Sequence, residues 1–311
     1  MKKALSMILV VCMILGLAAC GGSSAPAAQT QAPAQASTPA APAATPAAEA
    51  DPLEAAEALT LTLATAGSDG EMSEEGCKKF AELCSEYSNG KLTIDYINGG
   101  QLGSATELAE GEALGTVQMA KLDPSTMNDY APEYALLVQP FLSQNYDHME
   151  KVVELDSVKS LADGLAANHN IHMLNWFWCG FRAICSKTPI RNVADCKGII
   201  LRSPEAKIYM DTFNLLGMAP TPLAFGEMYT ALQAGVIEGC EPAASVIYQY
   251  EFYKLAPYVC RSNHMFSMVI LTISEDIWNS LPEAYQDIIE ECIHEECAKQ
   301  RVACQGIEND Y

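Results

Sequence analysis

The chain has 311 residues, of which 50% are apolar and 18% are charged, so it can bury a large core. Lys and Arg number 18 against 39 Asp and Glu, which gives a formal net charge of -21. Phosphate backbones would repel so acidic a chain, and this argues against nucleic-acid binding.

The N-terminal segment predicts export and a lipid anchor. Met1-Lys2-Lys3 is a short basic start, and an uncharged, mostly apolar run follows over 4–19. This run is too short to span a membrane but is typical of a secretory signal. Its exit, Leu17-Ala18-Ala19-Cys20, resembles the bacterial lipobox, in which the signal is cut before a cysteine that carries diacylglycerol. We therefore expect a signal peptide over 1–19 and an extracytoplasmic protein, lipid-anchored to the bacterial cell membrane through Cys20; a chance cysteine after an ordinary signal is the alternative.

Residues 20–57 predict a linker between the lipid and the folded part. The segment 24–50 consists almost only of Ala, Pro, Gln, Thr and Ser, with five prolines and the single charge of Glu49. It has no aromatic or long aliphatic residue with which to form a core, so we expect it to be disordered and partly extended.

From about Leu59 onward, the apolar periodicity alternates between strands and helices. It predicts strands at 59–63, 92–96, 116–122, 171–178, 198–201 and 265–273. It predicts helices at 77–87, 104–114, 209–216 and 225–234, and a long helical region at the end that is broken near Leu281-Pro282. This alternation is typical of α/β layers with much parallel pairing.

Ten of the twelve cysteines follow Cys20. An even number in an exported chain is compatible with disulfides. However, no Cys-x-x-Cys occurs, and Cys77 and Cys84 lie on the apolar face of a predicted helix, so we expect mostly free, core-like thiols. Cys292 and Cys297 are five residues apart and would face different sides of a helix, so no metal site is predicted there, nor any cofactor.

The most informative motifs lie between Trp178 and Tyr250. They are Trp178-Cys179-Gly180-Phe181-Arg182, Asp195-Cys196-Lys197-Gly198, Ile200-Leu201-Arg202-Ser203-Pro204 and the run from Phe225 to Glu241. Together with Gly100-Gln101-Leu102-Gly103-Ser104 and Trp278-Asn279-Ser280-Leu281-Pro282, they resemble the solute-binding subunits of tripartite ATP-independent periplasmic (TRAP) transporters, the C4-dicarboxylate-binding-protein family. The resemblance covers roughly residues 59–302.

The resemblance implies an α/β fold with two domains that close as a periplasmic-binding-protein-like clamp. It also implies crossing hinge strands, a long C-terminal helix and a small acidic metabolite in the cleft. On this basis we place domain I at 58–179 and domain II at 180–263, each with part of 264–311.

Arg202 is the principal candidate for binding the ligand. In the family, an arginine on the strand after the Asp-x-Lys-Gly turn makes a two-pronged salt bridge to the ligand carboxylate, and Arg202 holds that position. Residues 198–201 also predict a buried strand, and ligands bind beyond the carboxyl ends of such strands. The resemblance implies further ligand contacts for Arg182 and Phe225. A structural ion pair for Arg202 remains an alternative. Arg182 could instead support the site from behind the ligand contacts or lie at its rim, and Phe225 could be a core residue or a helix-start staple.

Four further residues are weaker candidates for the ligand site. Asp123 ends the strand predicted at 116–122, where it could cap a loop or face the cleft and favour a ligand with hydroxyls or an amine. Trp178 could form the pocket wall or pack in the core. Glu241 and His264 match family positions that often support the closed state.

The function expected from the family is capture of a small carboxylate by domain closure and delivery to an ion-gradient-driven TRAP permease. A lipoprotein that presents its ligand-bound form to a sensor kinase is an alternative. An exported hydrolase is a remote one, since no histidine lies in a Gly-x-Ser-x-Gly or cysteine-protease context, and the chain is predicted not to be an enzyme.

Overall fold

A computed structural model describes residues 52–308 of the chain. The predicted signal peptide, Cys20 and most of the predicted linker lie outside these residues. The last residues assigned to the linker belong to the folded part, since Pro52–Ala55 form a helix, α1, and Leu53 and Ala56 pack against the core.

The first of two sheets has five strands in the order β2-β1-β3-β10-β4. The pairs β1–β2 and β1–β3 are parallel, whereas β10 runs antiparallel to both β3 and β4. We call this sheet and the helices that pack on it the first lobe. Its strands are β1 (Leu59–Thr65), β2 (Leu92–Ile97), β3 (Met119–Leu122), β4 (Ile171–Phe181) and β10 (Phe266–Ser274).

The second sheet also has five strands, in the order β7-β6-β8-β5-β9. Here β6 pairs in parallel with β7 and β8, and β5 pairs antiparallel with β8 and β9. We call this sheet and its helices the second lobe. Its strands are β5 (Ile184–Ser186), β6 (Ile200–Ser203), β7 (Ala219–Pro222), β8 (Gly239–Cys240) and β9 (Tyr258–Cys260).

Helices cover both sheets and the connections between strands. The α-helices after α1 are α2 (Met72–Tyr87), α3 (Ala105–Ala113), α4 (Tyr146–Val153), α5 (Asp156–His169), α6 (Lys207–Leu215), α7 (Met228–Ala234), α8 (Ala244–Gln249), α9 (Glu275–Ser280) and α10 (Glu283–Glu308). Short 3-10 helices lie at Pro124–Asp129, Pro132–Val138, Val193–Cys196, Phe225–Glu227 and Phe252–Lys254. The sequence pattern did not predict α4 and α5.

The chain passes between the sheets twice, once after β4 and once before β10. Arg182 follows β4, and its backbone N–H donates to the carbonyl of Met265 just before β10, at 2.9 Å. Ala183 then donates to Pro242 at 3.0 Å, which ties this crossing to the second sheet. The two adjacent crossings are the expected hinge strands, and the fold is the predicted two-domain α/β clamp with a long C-terminal helix.

The first sheet is buried on both faces. Neighbouring residues on β10 enter opposite cores: Ile270 packs with Leu122 and Trp178, whereas Leu271 packs with Phe80 and helix α10. This follows from the two-residue period of a strand. None of the helices within residues 52–308 carries an apolar stretch long enough to cross a membrane.

Two strand boundaries differ from the predictions for local reasons. β3 begins at Met119 and not at 116, because the N–H groups of Thr116 and Val117 close the end of α3 by donating to Gly111. β6 begins at Ile200 and not at 198, because Gly198 has φ +77° and forms the preceding turn.

Candidate ligand-binding cavity

A cavity of about 600 Å³ lies between the two lobes. The first lobe contributes Glu71, Lys121 and Asp123 to its wall, and the second contributes Arg202 and Phe225. Its volume suits a small metabolite, and one bound molecule would contact both lobes.

Arg202 is placed at the cavity by the turn and strand that precede it. A capping box between Asn192 and Asp195, followed by the positive φ of Gly198, starts β6 in the middle of the second sheet. Leu201 and Ser203 on this strand are buried. Arg202 lies near the carboxyl end of β6, which is where open α/β sheets bind ligands.

The guanidinium of Arg202 is buried but only partly bonded. The residue is 5% exposed and lines the cavity. Its Nε–H donates to the carbonyl of Leu223 at 3.0 Å, whereas neither terminal nitrogen has a hydrogen-bonding partner among residues 52–308. Within these residues no carboxylate lies within 4.0 Å of it. Burial lowers the pKa of Arg202, as does the charge of Arg182.

Arg182 also lines the cavity, but its guanidinium is already occupied. Its Nε and Nη2 donate to the two oxygens of Glu241 at 2.6 and 2.7 Å, and Nη1 donates to Ser267 at 3.2 Å. Although burial lowers the pKa of Arg182, Glu241 raises it above its usual range. His264 completes the arrangement, with Nε2 3.3 Å from Glu241.

A buried charge cluster on the first lobe was not predicted from the sequence. Lys121 on β3 forms ion pairs with Glu74, and with Glu71 at 3.4 Å, and donates to Ser73 at 2.8 Å. Although burial lowers the pKa of Lys121, the two glutamates raise it well above its usual range. The signal was a lysine within the apolar strand Met119–Leu122, since a buried lysine needs an acidic partner.

Comparison with known proteins identifies the family. The profile of the bacterial extracellular solute-binding protein family 7 (DctP) matches residues 63–311. The chain belongs to this family.

Individual relatives agree with this assignment. The chain is 30% identical over 234 residues to the solute-binding protein RD1_1052 of Roseobacter denitrificans. These residues are 75% of this chain and 72% of the relative. The sugar acid binding protein DctPAm of Advenella mimigardefordensis, solved with galactonate, superposes with a TM-score of 0.78 at 26% identity and covers 82% of each chain. A TRAP periplasmic solute-binding protein of Fusobacterium nucleatum, solved with sn-glycerol-3-phosphate, gives a TM-score of 0.79 at 26% identity, again over 82% of each chain. The chain is thus a solute-binding protein of the TRAP type.

Two further predicted residues lie at the cavity of this family member. Phe225 is half-buried, with the Arg202 guanidinium carbon 6.0 Å from its ring centroid. Asp123 lines the cavity and also caps the following turn, because its Oδ1 accepts from the N–H of Ser125 at 2.8 Å. Asp123 therefore caps a loop and faces the cavity at the same time.

Three predicted residues are not part of the cavity wall. Trp178 lies in the first-lobe core, where its indole N–H donates to Glu150 at 2.9 Å. Adjacent strand residues face opposite sides, so Cys179 lines the cavity instead. Glu241 and His264 are fully buried, and Glu241 bonds both Arg182 and His264, so their role in supporting the closed state stays a prediction.

The cysteines behave as core residues. All ten described thiols are free, and nine are buried, with Cys260 partly exposed, so the prediction of core-like thiols is confirmed. Cys292 and Cys297 both pack in the first-lobe core between α10 and α2. Within residues 52–308, His, Cys, Asp and Glu side chains form no group that could hold a metal ion.

Proposed function

We propose that this chain captures a small organic acid between its lobes, with Arg202 binding the carboxylate, and delivers it to the membrane subunits of a TRAP permease. The observation that carries the proposal is the state of the two buried arginines. Arg182 donates its hydrogen bonds to Glu241 and Ser267, whereas the two terminal nitrogens of Arg202 have no partner among residues 52–308 and can bind a ligand. A guanidinium fork of this kind matches the two oxygens of a carboxylate.

The cavity also supports capture by closure. A ligand bonded to Arg202 on the second lobe would reach the first-lobe wall at Asp123 and Glu71. Contacts to both lobes favour the closed form and shift the population toward it. The relatives solved with galactonate and sn-glycerol-3-phosphate held anions that carry hydroxyl groups, which fits this arrangement.

A thermal-shift screen over an organic-acid library tests the proposal directly. A ligand at a hundredfold excess over its Kd stabilises the folded chain by about 2.7 kcal/mol. We expect hits among carboxylates and none among neutral sugars. If only phosphate esters stabilised the chain, the carboxylate class would be wrong while solute binding would stand.

Substitution of Arg202 then tests the binding residue. Arg202→Gln should weaken the best hit about 30-fold or more by calorimetry, because the ligand anion loses its ionic partner in a desolvated site. Arg191→Gln is the matched control, since Arg191 is an exposed arginine of the second lobe. Nearly unchanged affinity in Arg202→Gln would refute the assignment.

The proposed anchor and permease require separate tests. Cys20→Ala should move the exported protein from the membrane fraction to the soluble extracytoplasmic fraction. In proteoliposomes containing the permease, uptake of the ligand should depend on this protein and on an ion gradient, without ATP. Uptake that proceeds equally in its absence would contradict the proposed delivery role.

A further inference from the structure

The charged residues of the cavity wall are not balanced. Four cations line the cavity, and three of them are paired with protein carboxylates: Lys121 with Glu74, Arg182 with Glu241, and Lys207 with Asp211. Among residues 52–308, Arg202 is the only lining cation without such a partner. It is also more than nine-tenths buried, with its terminal nitrogens unpartnered.

The first-lobe wall carries negative charge. Glu71 and Glu74 share the single charge of Lys121, which leaves this buried cluster with a net negative charge. Glu71 lies at the cavity, where its Oε1 accepts from Ser73 at 2.6 Å and its Oε2 accepts from Tyr250 at 3.2 Å. Burial raises the pKa of the cavity-lining Cys179 thiol, the charge of Glu71 raises it further, and the charge of Lys121 lowers it.

Asp123 adds a second carboxylate to the same wall. Only its Oδ1 has a hydrogen bond, to the N–H of Ser125, and no described cation lies within 4.0 Å of it. Asp123 is close enough to the arginines to raise the pKa of both Arg182 and Arg202, although it is a minor cause for each. A ligand that binds Arg202 therefore extends toward negative charge.

The N-terminus of α3 also lies at the cavity wall, and a helix N-terminus attracts anions. It is already capped by the chain itself. The Glu107 side chain accepts from the N–H of Ser104 at 2.8 Å, and the Ser104 hydroxyl accepts from the N–H of Glu107 at 3.3 Å. The carboxylate of Glu107 thus neutralises this helix end.

On the basis of the proposed function, we infer that the cavity selects a ligand with one anionic group, bound by Arg202, whose far end carries hydroxyl or ammonium donors. A second carboxylate at the far end would face Asp123 and Glu71, while the other buried cations that line the cavity within residues 52–308, Lys121 and Arg182, are already paired. Like charges brought together in a desolvated cleft repel each other strongly, whereas hydroxyl donors would bond the same oxygens. The site therefore discriminates against dicarboxylates.

Matched acids that differ only at the far end test this selectivity. D-galactonate and galactarate form one such pair, and D-erythronate and meso-tartrate form another, because in each pair a terminal CH₂OH replaces a carboxylate. By calorimetry we expect the monocarboxylate of a pair to bind at least about tenfold more tightly than its dicarboxylate. Equal or tighter binding of the dicarboxylates would overturn the inference and leave the proposed function standing. Failure of every organic acid in the library to bind would instead count against the proposed function.

Removing wall charge provides the second arm. Asp123→Asn keeps an oxygen to cap Ser125 but loses the charge, so the preference for the monocarboxylate should fall about threefold or more. Glu71→Gln should act in the same direction. Glu133→Gln, an exposed acid of the first lobe outside the cavity, is the control and should leave the ratio unchanged. An unchanged ratio in both wall variants would refute the role of these carboxylates.

Discussion

At the scale of single residues, Arg182 and Arg202 show how partners decide what a buried charge does. Both side chains belong to residues that are 5% exposed, and both line the same cavity. Glu241 accepts two hydrogen bonds from Arg182 and, with the help of His264, holds that guanidinium in place. Among residues 52–308 Arg202 has no such acid, which is why we propose it as the ligand-binding arginine.

Glu241→Gln should reduce the free energy of unfolding by about 3–5 kcal/mol, because it leaves the charge of Arg182 buried without an anion. Denaturant unfolding measures this, and Glu133→Gln, an exposed acid, is the control. Arg182→Met combined with Glu241→Gln should recover part of the loss, since it removes both charges. A single variant as stable as the wild type would show that the pair is not needed.

The same pair predicts a pH dependence. Burial alone would raise the pKa of Glu241, but Arg182 and His264 lower it from 4.5 to about 2. A carboxyl with a lower pKa in the folded state contributes stability that is fully present above its unfolded pKa and is lost as the pH falls through the folded value. The stability difference between wild type and Glu241→Gln should therefore shrink from pH 4.5 toward pH 2. A constant difference across this range would contradict the shift.

At the scale of elements, the second sheet positions Arg202 through close backbone packing. β8 lies between β5 and β6, where Gly239 pairs with Ser186 on one side and Leu201 on the other. A Cβ at Gly239 would lie 2.7 Å from the carbonyl oxygen of Cys185, which is backbone and cannot turn away. Only glycine allows the three strands to meet beneath the site.

Gly239→Ala should destabilise the chain by about 1–3 kcal/mol through this overpacking and should also weaken ligand binding. Gly164→Ala is the matched control: this helical glycine on α5 has nothing within 4 Å of the added Cβ, so the substitution should stabilise by about 0.5–1 kcal/mol. Thermal unfolding and calorimetry of both variants distinguish the two effects. Similar changes in thermal stability for both variants would mean that the contact between position 239 and the Cys185 carbonyl does not require glycine.

At the scale of the whole molecule, Tyr250 is one of the side chains that connect the two lobes, and it contacts two residues of the cavity wall. Tyr250 follows α8 of the second lobe, and its hydroxyl accepts from the N–H of Ser68 at 2.9 Å and contacts Glu71 at 3.2 Å, both in the first lobe. Its ring packs edge-to-face on Phe225, with the centroids 5.2 Å apart. One of the contacts between the lobes is thus packed against Phe225 of the cavity wall.

Tyr250→Phe should shift the chain toward an open form. It keeps the ring and removes hydrogen bonds worth roughly 1 kcal/mol each, so ligand affinity should fall about five- to tenfold, mainly through faster dissociation. Small-angle scattering should show a larger radius of gyration without ligand. Tyr253→Phe, which removes another tyrosine hydroxyl of the second lobe, is the control. An unchanged radius and dissociation rate would exclude a latching role.

The sequence predicted the elements that positioned the site, because local signals define them. The alternation at Leu59, Leu61 and Leu63 gave β1, and the turn ending in Gly198 located the strand of Arg202. For Trp178 the sequence allowed both the pocket wall and the core, because periodicity does not tell which face of β4 meets the cavity. The Lys121 cluster was missed, because Glu71 and Glu74 lie about fifty residues away in the chain.

The amino-acid pattern by itself determined the family, the α/β alternation and the position of Arg202, the proposed binding residue, at the end of an inner strand. These features follow from short-range periodicity and turn chemistry, which neighbouring residues encode. Only the tertiary structure decided which arginine is free, because the partner of Arg182 lies 59 residues further along the chain. That pairing depends on how β5 and β8 are brought together, and so does the charge that the cavity offers to a ligand.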